Sequence, residues 1–459
     1  MINGEVSFWW SQLGGLPQPR PALPGNRRVD VCIVGAGYTG LWTAYYLKRA
    51  QPSLKIAIVE AQFAGFGASG RNGGWLTNSV TGGREQYVAQ FGLGAAGKMQ
   101  TMLNETVAEV INICSREGIE ADIVAGGEYI LAQNPAQQAR LVEWAAAEQS
   151  WPMTDAVLLS AAEARQRVNI ESTTGALWQP HAARIHPAKL VSGLARVVEA
   201  TGVSIYESTS ASLIEAGRVV TDRGVVTATT AVIRATEGFT ANLKGLHRAW
   251  LPMNSSMIAT APLPDDVWNQ IGWAGHEVVG DMAHSYFYAQ RTSDNRIAIG
   301  GRGVPYRFGS RTDNDGSTPP STVDALTALF RKLFPAASDA AIDHAWSGVL
   351  GVPRDWSATV GFDQATRVGW AGGYVGTGVT ATNLAGRTLA DLVLGRDTDE
   401  THLPWVNHRV RNWEVEPLRW LAVRGLYSAY RVADASERSG RATTSPIARI
   451  ADVISGRKH

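Results

Sequence analysis

The alternation of hydrophobic and polar positions first becomes regular at residues 29–34, where a nearly unbroken apolar run predicts a parallel strand buried on both faces. Between Leu41 and Leu47 the apolar residues recur at helical spacing. A second apolar run, KIAIVE, ends in Glu60. Strand, helix and strand in this order predict a βαβ unit near the start of the chain.

Three later segments alternate between apolar and polar residues and predict a different kind of sheet. They read GGEYILAQ, HSYFYAQ and RIAIGGR, and period-two alternation of this kind indicates antiparallel strands. After residue 396 the chain becomes rich in charge, with helical patterns around Trp405, Trp413 and Trp420. This tail is predicted either to cap a cavity or to form a subunit contact, which leaves a homo-oligomer open.

The composition excludes several classes of protein. With 459 residues, 45% of them hydrophobic, the chain buries a large core, and a formal net charge of +1 gives no reason to expect nucleic acid as a partner. No run of eighteen apolar residues and no secretory signal is visible, so no membrane is expected. Only Cys32 and Cys114 are present, without a CxxC motif, which fits a reducing compartment and predicts a cytoplasmic protein.

The distribution of glycine is the most informative feature of the composition. The 48 glycines cluster near 35–40, 65–74, 300–303 and 369–378. The first cluster places Gly35, Gly37 and Gly40 in a G-x-G-x-x-G turn between strand and helix, and Glu60 follows twenty residues later. Such a turn brings backbone close to a pyrophosphate at a helix N-terminus, and the acid accepts hydrogen bonds from a ribose. The order of these elements predicts a dinucleotide site.

The second cluster, GFGASGRNGGW at 65–75, resembles the segment that flavoproteins of the D-amino acid oxidase family place along FAD. The likeness implies that Ser69 and Arg71 meet the pyrophosphate region while Asn72, Gly73 and Gly74 pass the isoalloxazine ring. The motif WAGGYVGTGVTATNLAGRTLADLVLG resembles the family's glycine turn and helix, whose positive end points at the flavin. Within the family the chain is most similar to bacterial amine oxidases of the γ-glutamylputrescine oxidase type.

The resemblance extends along almost the whole chain and implies noncovalently bound FAD. Residues 184–215 resemble a helix followed by the strand that touches adenine near Ala211, and residues 225–240 resemble the strand that ends in the turn at Thr236. The implied cofactor-binding residues are Gly35, Gly37, Tyr38, Thr39, Gly40, Glu60, Ala61, Gly67, Ala68, Ser69, Gly70, Arg71, Asn72, Gly73, Gly74, Ala211, Thr236, Gly373, Tyr374, Gly376, Gly378, Val379 and Thr380.

The predicted fold class is α/β, with a discontinuous Rossmann-like FAD-binding domain, an antiparallel-sheet substrate domain and a helical C-terminal tail. A substrate sheet inserted into a doubly wound fold interrupts the cofactor domain. The predicted boundaries are 28–90, 160–240 and 345–396 for the FAD-binding domain, 91–159 and 241–344 for the substrate domain, and 397–459 for the tail.

The chemistry implied by the resemblance is oxidation of the carbon next to nitrogen in a small primary or secondary amine, with O2 as acceptor. This hydride transfer needs alignment more than a strong base, and no metal-ligand spacing is present. Aromatic walls are expected to hold the amine. The candidate substrate residues are Trp75, Tyr286, Tyr288, Trp346, Tyr374 and Arg302.

Two alternatives remain open at this stage. An amino acid oxidase or dehydrogenase passing electrons to another acceptor would use Arg302 to bind a carboxylate. A flavin monooxygenase would use NAD(P)H, although no second dinucleotide motif is visible.

Overall fold

The computed structural model describes residues 1–151, 153–301, 303–312 and 315–456. Its strands are β1 (Ile2–Asn3), β2 (Arg27–Val34), β3 (Ile56–Val59), β4 (Trp75–Thr77), β5 (Glu128–Ala132), β6 (Val157–Ser160), β7 (Gly175–Gln179), β8 (Ala182–Arg184), β9 (Ser204–Tyr206), β10 (Ala211–Glu215), β11 (Arg218–Thr221), β12 (Gly224–Arg234), β13 (Leu251–Thr260), β14 (Val278–Asp281), β15 (Tyr288–Arg291), β16 (Ile297–Gly301), β17 (Ile342–Val352), β18 (Thr359–Asp363) and β19 (Val368–Gly372).

The α-helices lie between these strands and after them. They are α1 (Phe8–Ser11), α2 (Tyr38–Ala50), α3 (Arg84–Phe91), α4 (Leu93–Arg116), α5 (Pro135–Gln149), α6 (Ala161–Arg167), α7 (Pro187–Ala200), α8 (Asp265–Ile271), α9 (Pro320–Leu333), α10 (Gly378–Leu394), α11 (Leu418–Arg438) and α12 (Pro446–Ser455). Short 3-10 helices occupy Ala68–Gly70, Glu237–Asn242, Pro335–Ala337 and Asp399–His402. Within the described ranges, none of the helices is long and apolar enough to cross a membrane.

A mixed eight-stranded sheet carries the predicted βαβ unit. Its strands run in the order β10-β11-β12-β2-β3-β9, with β19 beside β12 and β18 beside β19, and the central strands β12, β2, β3 and β9 are parallel. The apolar run at 29–34 lies in β2, whose last four residues are buried, so the predicted strand buried on both faces is confirmed. Helices α2, α7 and α10 pack together in the same hydrophobic core as this sheet.

A nine-stranded sheet forms the second layer, in the order β1-β17-β13-β16-β15-β14-β5-β7-β6. Most neighbours are antiparallel, as predicted, but β14 and β5 pair in parallel, and so do β1 and β17. Helices α5 and α9 pack against this sheet. The sheet is therefore mixed, because β5 and β14 come from distant parts of the chain and are not joined by a hairpin.

Two strands depart from the predicted domain boundaries. The range 160–240 contains β7, and the range 345–396 contains most of β17, yet both strands belong to the nine-stranded sheet. β17 has eleven residues and pairs with β13 over its whole length, so it runs from the substrate sheet as far as the cleft described below. β17 therefore brings the nine-stranded sheet to the wall of that cleft.

Candidate active site

A long cleft of about 380 Å³ opens at the carboxyl ends of β2, β3 and β12, and we call it the cofactor cleft. Open parallel sheets bind ligands at this edge. Most of the predicted cofactor residues line it, namely Gly35, Gly37, Tyr38, Thr39, Glu60, Ala61, Gly67, Ala68, Ser69, Asn72, Ala211, Thr236, Tyr374, Gly376, Gly378 and Val379. Segments far apart in sequence therefore meet along one elongated space.

The first glycine turn is shaped by close backbone approach. Gly35 has a φ of +107°, and a Cβ there would lie 2.5 Å from the carbonyl oxygen of Ala235. A Cβ on Gly40 would lie 2.0 Å from the carbonyl oxygen of Gly35, so α2 and β2 pack more closely than any side chain permits. Gly40 is thus a packing residue behind the cleft, the role expected of the third glycine of such a turn.

The two glycine segments are joined to each other at the start of α2. The backbone N–H of Tyr38 donates to Ser69 Oγ at 2.8 Å, and Gly37 and Ser69 both line the cleft. Below this contact, Ser7 Oγ donates to the carbonyl oxygen of Gly70, and the Trp9 indole N–H donates to that of Asn72. The buried N-terminal helix α1 therefore packs behind the glycine-rich segment 65–75 and supports it. Nothing in the sequence indicated this role.

Four further predicted cofactor residues lie behind the cleft wall and do not line it. A Cβ on Gly70 would lie 2.3 Å from the carbonyl oxygen of Gly65, and one on Gly74 would lie 2.4 Å from that of Ile185. On Gly373 it would lie 2.4 Å from Pro353 Cγ. Thr380 is buried, and its hydroxyl has no hydrogen-bond partner among the described residues. At the three glycines a Cβ would meet neighbouring protein atoms, so the packing of the backbone itself requires glycine there.

Arg71 also departs from its predicted place at the pyrophosphate. It does not line the cofactor cleft; its guanidinium donates to the carbonyl oxygens of Phe66 at 2.7 Å and Ser347 at 3.3 Å. The same group lies over the Phe66 ring, 4.4 Å from its centroid. The Arg71 guanidinium donates to carbonyl groups on both segments, so it holds the glycine-rich segment against β17.

Glu60 lies at the end of β3, in the wall of the cofactor cleft near Ala211. Its carboxylate accepts hydrogen bonds from the backbone N–H groups of Ala36 at 2.8 Å and Gln62 at 3.0 Å. Burial raises the pKa of this carboxyl, and those two hydrogen bonds oppose the rise. The group is positioned to accept from a ribose hydroxyl at the adenosine end of the cleft.

Glu237, which the sequence did not single out, joins three segments around the cofactor cleft. Its carboxylate accepts from the backbone N–H groups of Gly373 at 2.9 Å, Gly351 at 3.3 Å and Tyr374 at 3.4 Å. Burial raises its pKa to about 7, against the effect of these hydrogen bonds. The sequence feature that could have identified Glu237 is an acid shortly after the apolar strand β12.

A second cavity of about 300 Å³, which we call the aromatic cavity, adjoins the cofactor cleft. The two share Ala68, Asn72, Leu350, Gly376 and Val379 as common wall. The side chains that give the cavity its aromatic character are Trp75, Trp144, Tyr286, Phe287 and Tyr288. Three predicted substrate residues, Trp75, Tyr286 and Tyr288, are thus brought together at one place, beside the predicted Gly73.

Two of the other predicted substrate residues, Trp346 and Tyr374, lie elsewhere. Trp346 is fully buried and lines neither space; its indole N–H donates to the Arg71 carbonyl oxygen at 2.8 Å, because β17 turns this side chain toward the core. Tyr374 lines the cofactor cleft, where its hydroxyl lies 3.1 Å from Thr39 Oγ1. Arg302 lies outside the described residues.

Two carboxylates in the aromatic cavity were not predicted. Glu128 accepts from Gln179 Nε2 at 2.7 Å, and Asp281 accepts from the backbone N–H of Phe287 at 3.1 Å. Burial raises the pKa of each carboxyl to about 7. In the sequence Glu128 stands in an alternating segment, which is the usual pattern of a solvated residue, and Asp281 lies outside the segments predicted as strands.

The tail fixes one wall of the aromatic cavity. Asp434 in α11 accepts from the backbone N–H groups of His284 at 2.9 Å and Ser285 at 3.0 Å, immediately before Tyr286. Glu437, one turn later, binds Arg140 at 2.9 Å and the His284 ring at 2.9 Å. Burial opposes ionisation of Glu437, but these partners outweigh it and lower its pKa to about 2. The cluster is therefore an ion-pair network that anchors α11 to the loop carrying Tyr286.

The shape and donor set of the cofactor cleft fit an FAD molecule. Glu60, the glycine backbone before α2 and Gly378 at the start of α10 all line the cleft. Helix N-termini favour negative charge, as carried by a pyrophosphate and by a reduced flavin. The fit rests on this geometry and on the glycines that keep the backbone exposed.

Comparison with known proteins agrees with this geometry. The model of the family described as FAD dependent oxidoreductase (DAO) matches residues 30–392. The chain is 30% identical over 399 residues to gamma-glutamylputrescine oxidoreductase of Escherichia coli K12, covering 86% of this chain and 90% of that protein. It is 23% identical over 401 residues to sarcosine oxidase subunit beta of Rhizobium meliloti, covering 84% and 87%.

The fold is also found among solved structures. Glycine oxidase from Bacillus cereus superposes with a TM-score of 0.67 at 21% identity, covering 84% of this chain and all of that one. At this identity the likeness shows the fold alone.

Proposed function

This chain belongs to the family of FAD-dependent oxidoreductases, and from that premise we propose that it oxidises a small primary or secondary amine to an imine. The observation that carries the proposal is the common wall between the cofactor cleft and the aromatic cavity. A substrate in the aromatic cavity would lie against the segment of the cleft where the glycine-rich backbone and the α10 turn meet. The relatives that act on amines are consistent with this arrangement.

Bound FAD would accept two electrons and a proton, as a hydride, from the carbon next to nitrogen and pass the electrons to O2, so that amine and O2 give imine and hydrogen peroxide. The chain's own contribution is orientation. Trp75, Tyr286 and Tyr288 offer faces against which an amine and its alkyl chain would pack.

We further propose that the FAD is bound noncovalently. Cys32 lies inside β2 and Cys114 inside α4, both are buried, and neither lines the cofactor cleft. No histidine of the described residues lines the cleft or the aromatic cavity either. Acid precipitation is expected to leave the yellow colour in the supernatant, and colour retained in the pellet would contradict this.

The alternatives are an amino acid substrate, a different electron acceptor, or a monooxygenase that uses NAD(P)H. A screen of amines and amino acids for anaerobic bleaching of the flavin, followed by admission of air, separates them. The proposal expects bleaching by amines without NADPH, and return of colour with stoichiometric hydrogen peroxide. Bleaching only by NADPH would refute it, and bleaching without reoxidation by air would indicate another acceptor.

A further inference from the structure

Helix α12 is amphipathic in the reverse sense of an ordinary surface helix, which turns its large apolar residues inward. The residues that α12 turns toward the protein are small, namely Ala448, Ala451 and Ser455, and all three are buried. They pack beside Tyr430 and Ala433 of α11, where the Tyr430 hydroxyl lies 3.2 Å from Ser455 Oγ. The contact between the two helices is therefore made without the large apolar residues of α12.

The four large apolar residues of α12 point to solvent. Their spacing of three and four positions places them on one stripe of the helix, on the side away from the small residues. They are Ile447, Ile450, Val453 and Ile454, with exposed fractions of 42%, 62%, 84% and 58%. A cluster of exposed aliphatic side chains marks an interaction surface, whereas single ones are ordinary.

The exposed charged side chains of the α11–α12 hairpin are all positive. Between residues 418 and 456, a range that the structure describes without a gap, they are Arg424, Arg431, Arg438, Arg441 and Arg449. The acids of the same range are withdrawn from the surface. Asp434 and Glu437 are buried, and the half-buried Asp452 accepts from the Tyr430 hydroxyl at 2.7 Å.

This basic character is confined to the end of the chain. From residue 418 to 459 the sequence holds eight arginine and lysine residues but three acids, although the whole chain has a formal net charge of only +1. The rest of the chain is therefore net acidic, and the overall charge conceals the difference. Arg449 lies four positions before Val453, so a positive charge adjoins the apolar stripe on the same helix.

An apolar stripe flanked by arginine matches the surface of an anionic bilayer. Guanidinium groups bind lipid phosphates, and aliphatic side chains enter the acyl region, which accommodates them without a preformed pocket. A second copy of this chain fits less well, because a two-fold contact through this face would bring the same arginines together. A helix that lies on a bilayer also needs less length than one that crosses it.

We propose that α12 binds peripherally to an anionic lipid surface, with Ile450 and Val453 among the lipid chains and Arg449 at the headgroups. This departs from the expectation that no membrane is a partner, which rested on the search for spanning segments. The inference depends on the surface of the hairpin alone and not on the proposed substrate. A failure of amine oxidation would therefore leave it untouched.

The first test uses the holoenzyme and vesicles of two compositions in a co-sedimentation assay. Vesicles of phosphatidylcholine mixed with phosphatidylglycerol are compared with vesicles of phosphatidylcholine alone. We expect binding to the anionic vesicles to be about tenfold stronger or more, and to fall about tenfold when NaCl is raised from about 0.1 M to about 0.5 M. Binding to neither composition, or equal binding to both, would overturn the proposal.

The second test changes exposed residues only. Ile450→Ser combined with Val453→Ser is expected to lower the vesicle partition coefficient by about tenfold or more, and Arg449→Gln by about fivefold. The matched controls are Leu93→Ser, at an exposed apolar position that begins α4, and Arg218→Gln, at an exposed position in β11. Unchanged binding in the α12 variants, or equal losses in the controls, would refute the assignment.

Folding and self-association are measured alongside. Because the substituted side chains are exposed, flavin content, Tm and kcat should be unchanged, and the wild-type comparison of vesicles decides the question if a variant misfolds. Sedimentation velocity at increasing concentration tests for a second copy on this face. A dimer that the Ile450→Ser and Val453→Ser double variant dissociates, together with no vesicle binding, would refute the lipid assignment in favour of self-association.

Discussion

The cofactor cleft includes the glycine backbone of a strand–helix turn in its wall, whereas the aromatic cavity is distinguished by its rings and two acids. In the cleft, Gly35, Gly37 and Gly376 expose peptide groups, and Glu60 adds a carboxylate. In the aromatic cavity the surface comes from single rings and acids on separate strands, such as Trp75 and Asp281. Backbone groups bind the parts of FAD that are the same in every enzyme that uses it. A cavity made of side chains can change its substrate when a single residue is replaced.

This contrast predicts that substitutions in the two regions impair different properties of the enzyme. Variants of the cleft are expected to lose flavin, and variants of the cavity are expected to keep flavin and change substrate. The experiments below test that division, beginning with the largest expected effect.

Gly35→Ala is expected to have the largest effect and to remove FAD almost completely. The new Cβ would meet the Ala235 carbonyl oxygen at 2.5 Å in a left-handed conformation, so the backbone at the pyrophosphate turn must shift. FAD binding should weaken by about a hundredfold or more. The measurement is flavin content after purification, with Tm recorded alongside.

The matched control for that variant is Gly94→Ala. Gly94 lies in α4, and a Cβ there would meet nothing within 4 Å. Alanine in a helix interior is favourable by about 1 kcal/mol relative to glycine, so this variant should keep its flavin. Full flavin occupancy in Gly35→Ala as well would show that the cleft does not depend on backbone approach.

Glu60→Ala is expected to weaken FAD binding by about 1.5–3 kcal/mol, because it removes an acceptor for the adenosine ribose. Fluorescence titration of the apo-protein with FAD measures the change. Glu215→Ala, which removes an exposed acid from β10 in the same sheet, is the control. An unchanged Kd in Glu60→Ala would move the ribose contact to another residue, while kcat at saturating FAD should stay nearly constant.

The aromatic cavity is expected to bind cations more tightly as the pH rises. The pKa values of Glu128 and Asp281 are both raised to about 7, chiefly by burial, so each carboxyl is mostly neutral below that pH. Above it, each is ionised and attracts a cation. Kd for hexamethonium, whose charge is independent of pH, should fall about tenfold between about pH 6 and about pH 8.

Neighbouring groups also act on these two carboxyls. Glu148 raises the pKa of Glu128 further and the Gln179 amide lowers it. At Asp281, the Asp434 carboxylate raises the pKa and the Arg140 guanidinium lowers it. A Kd that stays flat or rises with pH, measured from the flavin difference spectrum, would contradict an acidic cavity.

The smallest expected effect distinguishes two tryptophans that the sequence treated alike. Trp346→Phe leaves the Arg71 carbonyl oxygen without its indole donor, so stability should fall by about 1 kcal/mol while KM is unchanged. Trp75→Phe should change KM for amines a few-fold and cost less stability, because Trp75 is only partly buried and its hydrogen bond to Ala289 is longer, at 3.2 Å. The reverse pattern would place Trp346 at the substrate.

The sequence predicted those parts of the site that depend on neighbouring residues in the chain. The strand–turn–helix around Gly35 and the acid at Glu60 could be identified because backbone geometry constrains neighbouring residues directly. Trp346 and Arg71 were placed by their nearness to motifs, but which way a side chain points depends on strand register, and β17 turns Trp346 toward the core. Proximity in sequence could not decide that.

The two acids of the aromatic cavity could not be predicted from the sequence, because their proximity depends on the pairing of distant strands. Glu128 and Asp281 are separated by about 150 positions, and only the parallel pairing of β5 with β14 brings them together. The three backbone partners of Glu237 could not be identified for the same reason, since they come from β17 and from the loop after β19. Long-range pairing is what a single sequence specifies least directly.

The anchor between Asp434 and the loop before Tyr286 has a consequence for biosynthesis. Every residue that lines the cofactor cleft has been translated by Thr382, whereas α11, which holds that loop, is made later. Chains fold progressively as they emerge, with earlier parts first. The nascent chain therefore completes its flavin site before its substrate wall, and the order of synthesis favours loading the coenzyme before the enzyme can receive a substrate.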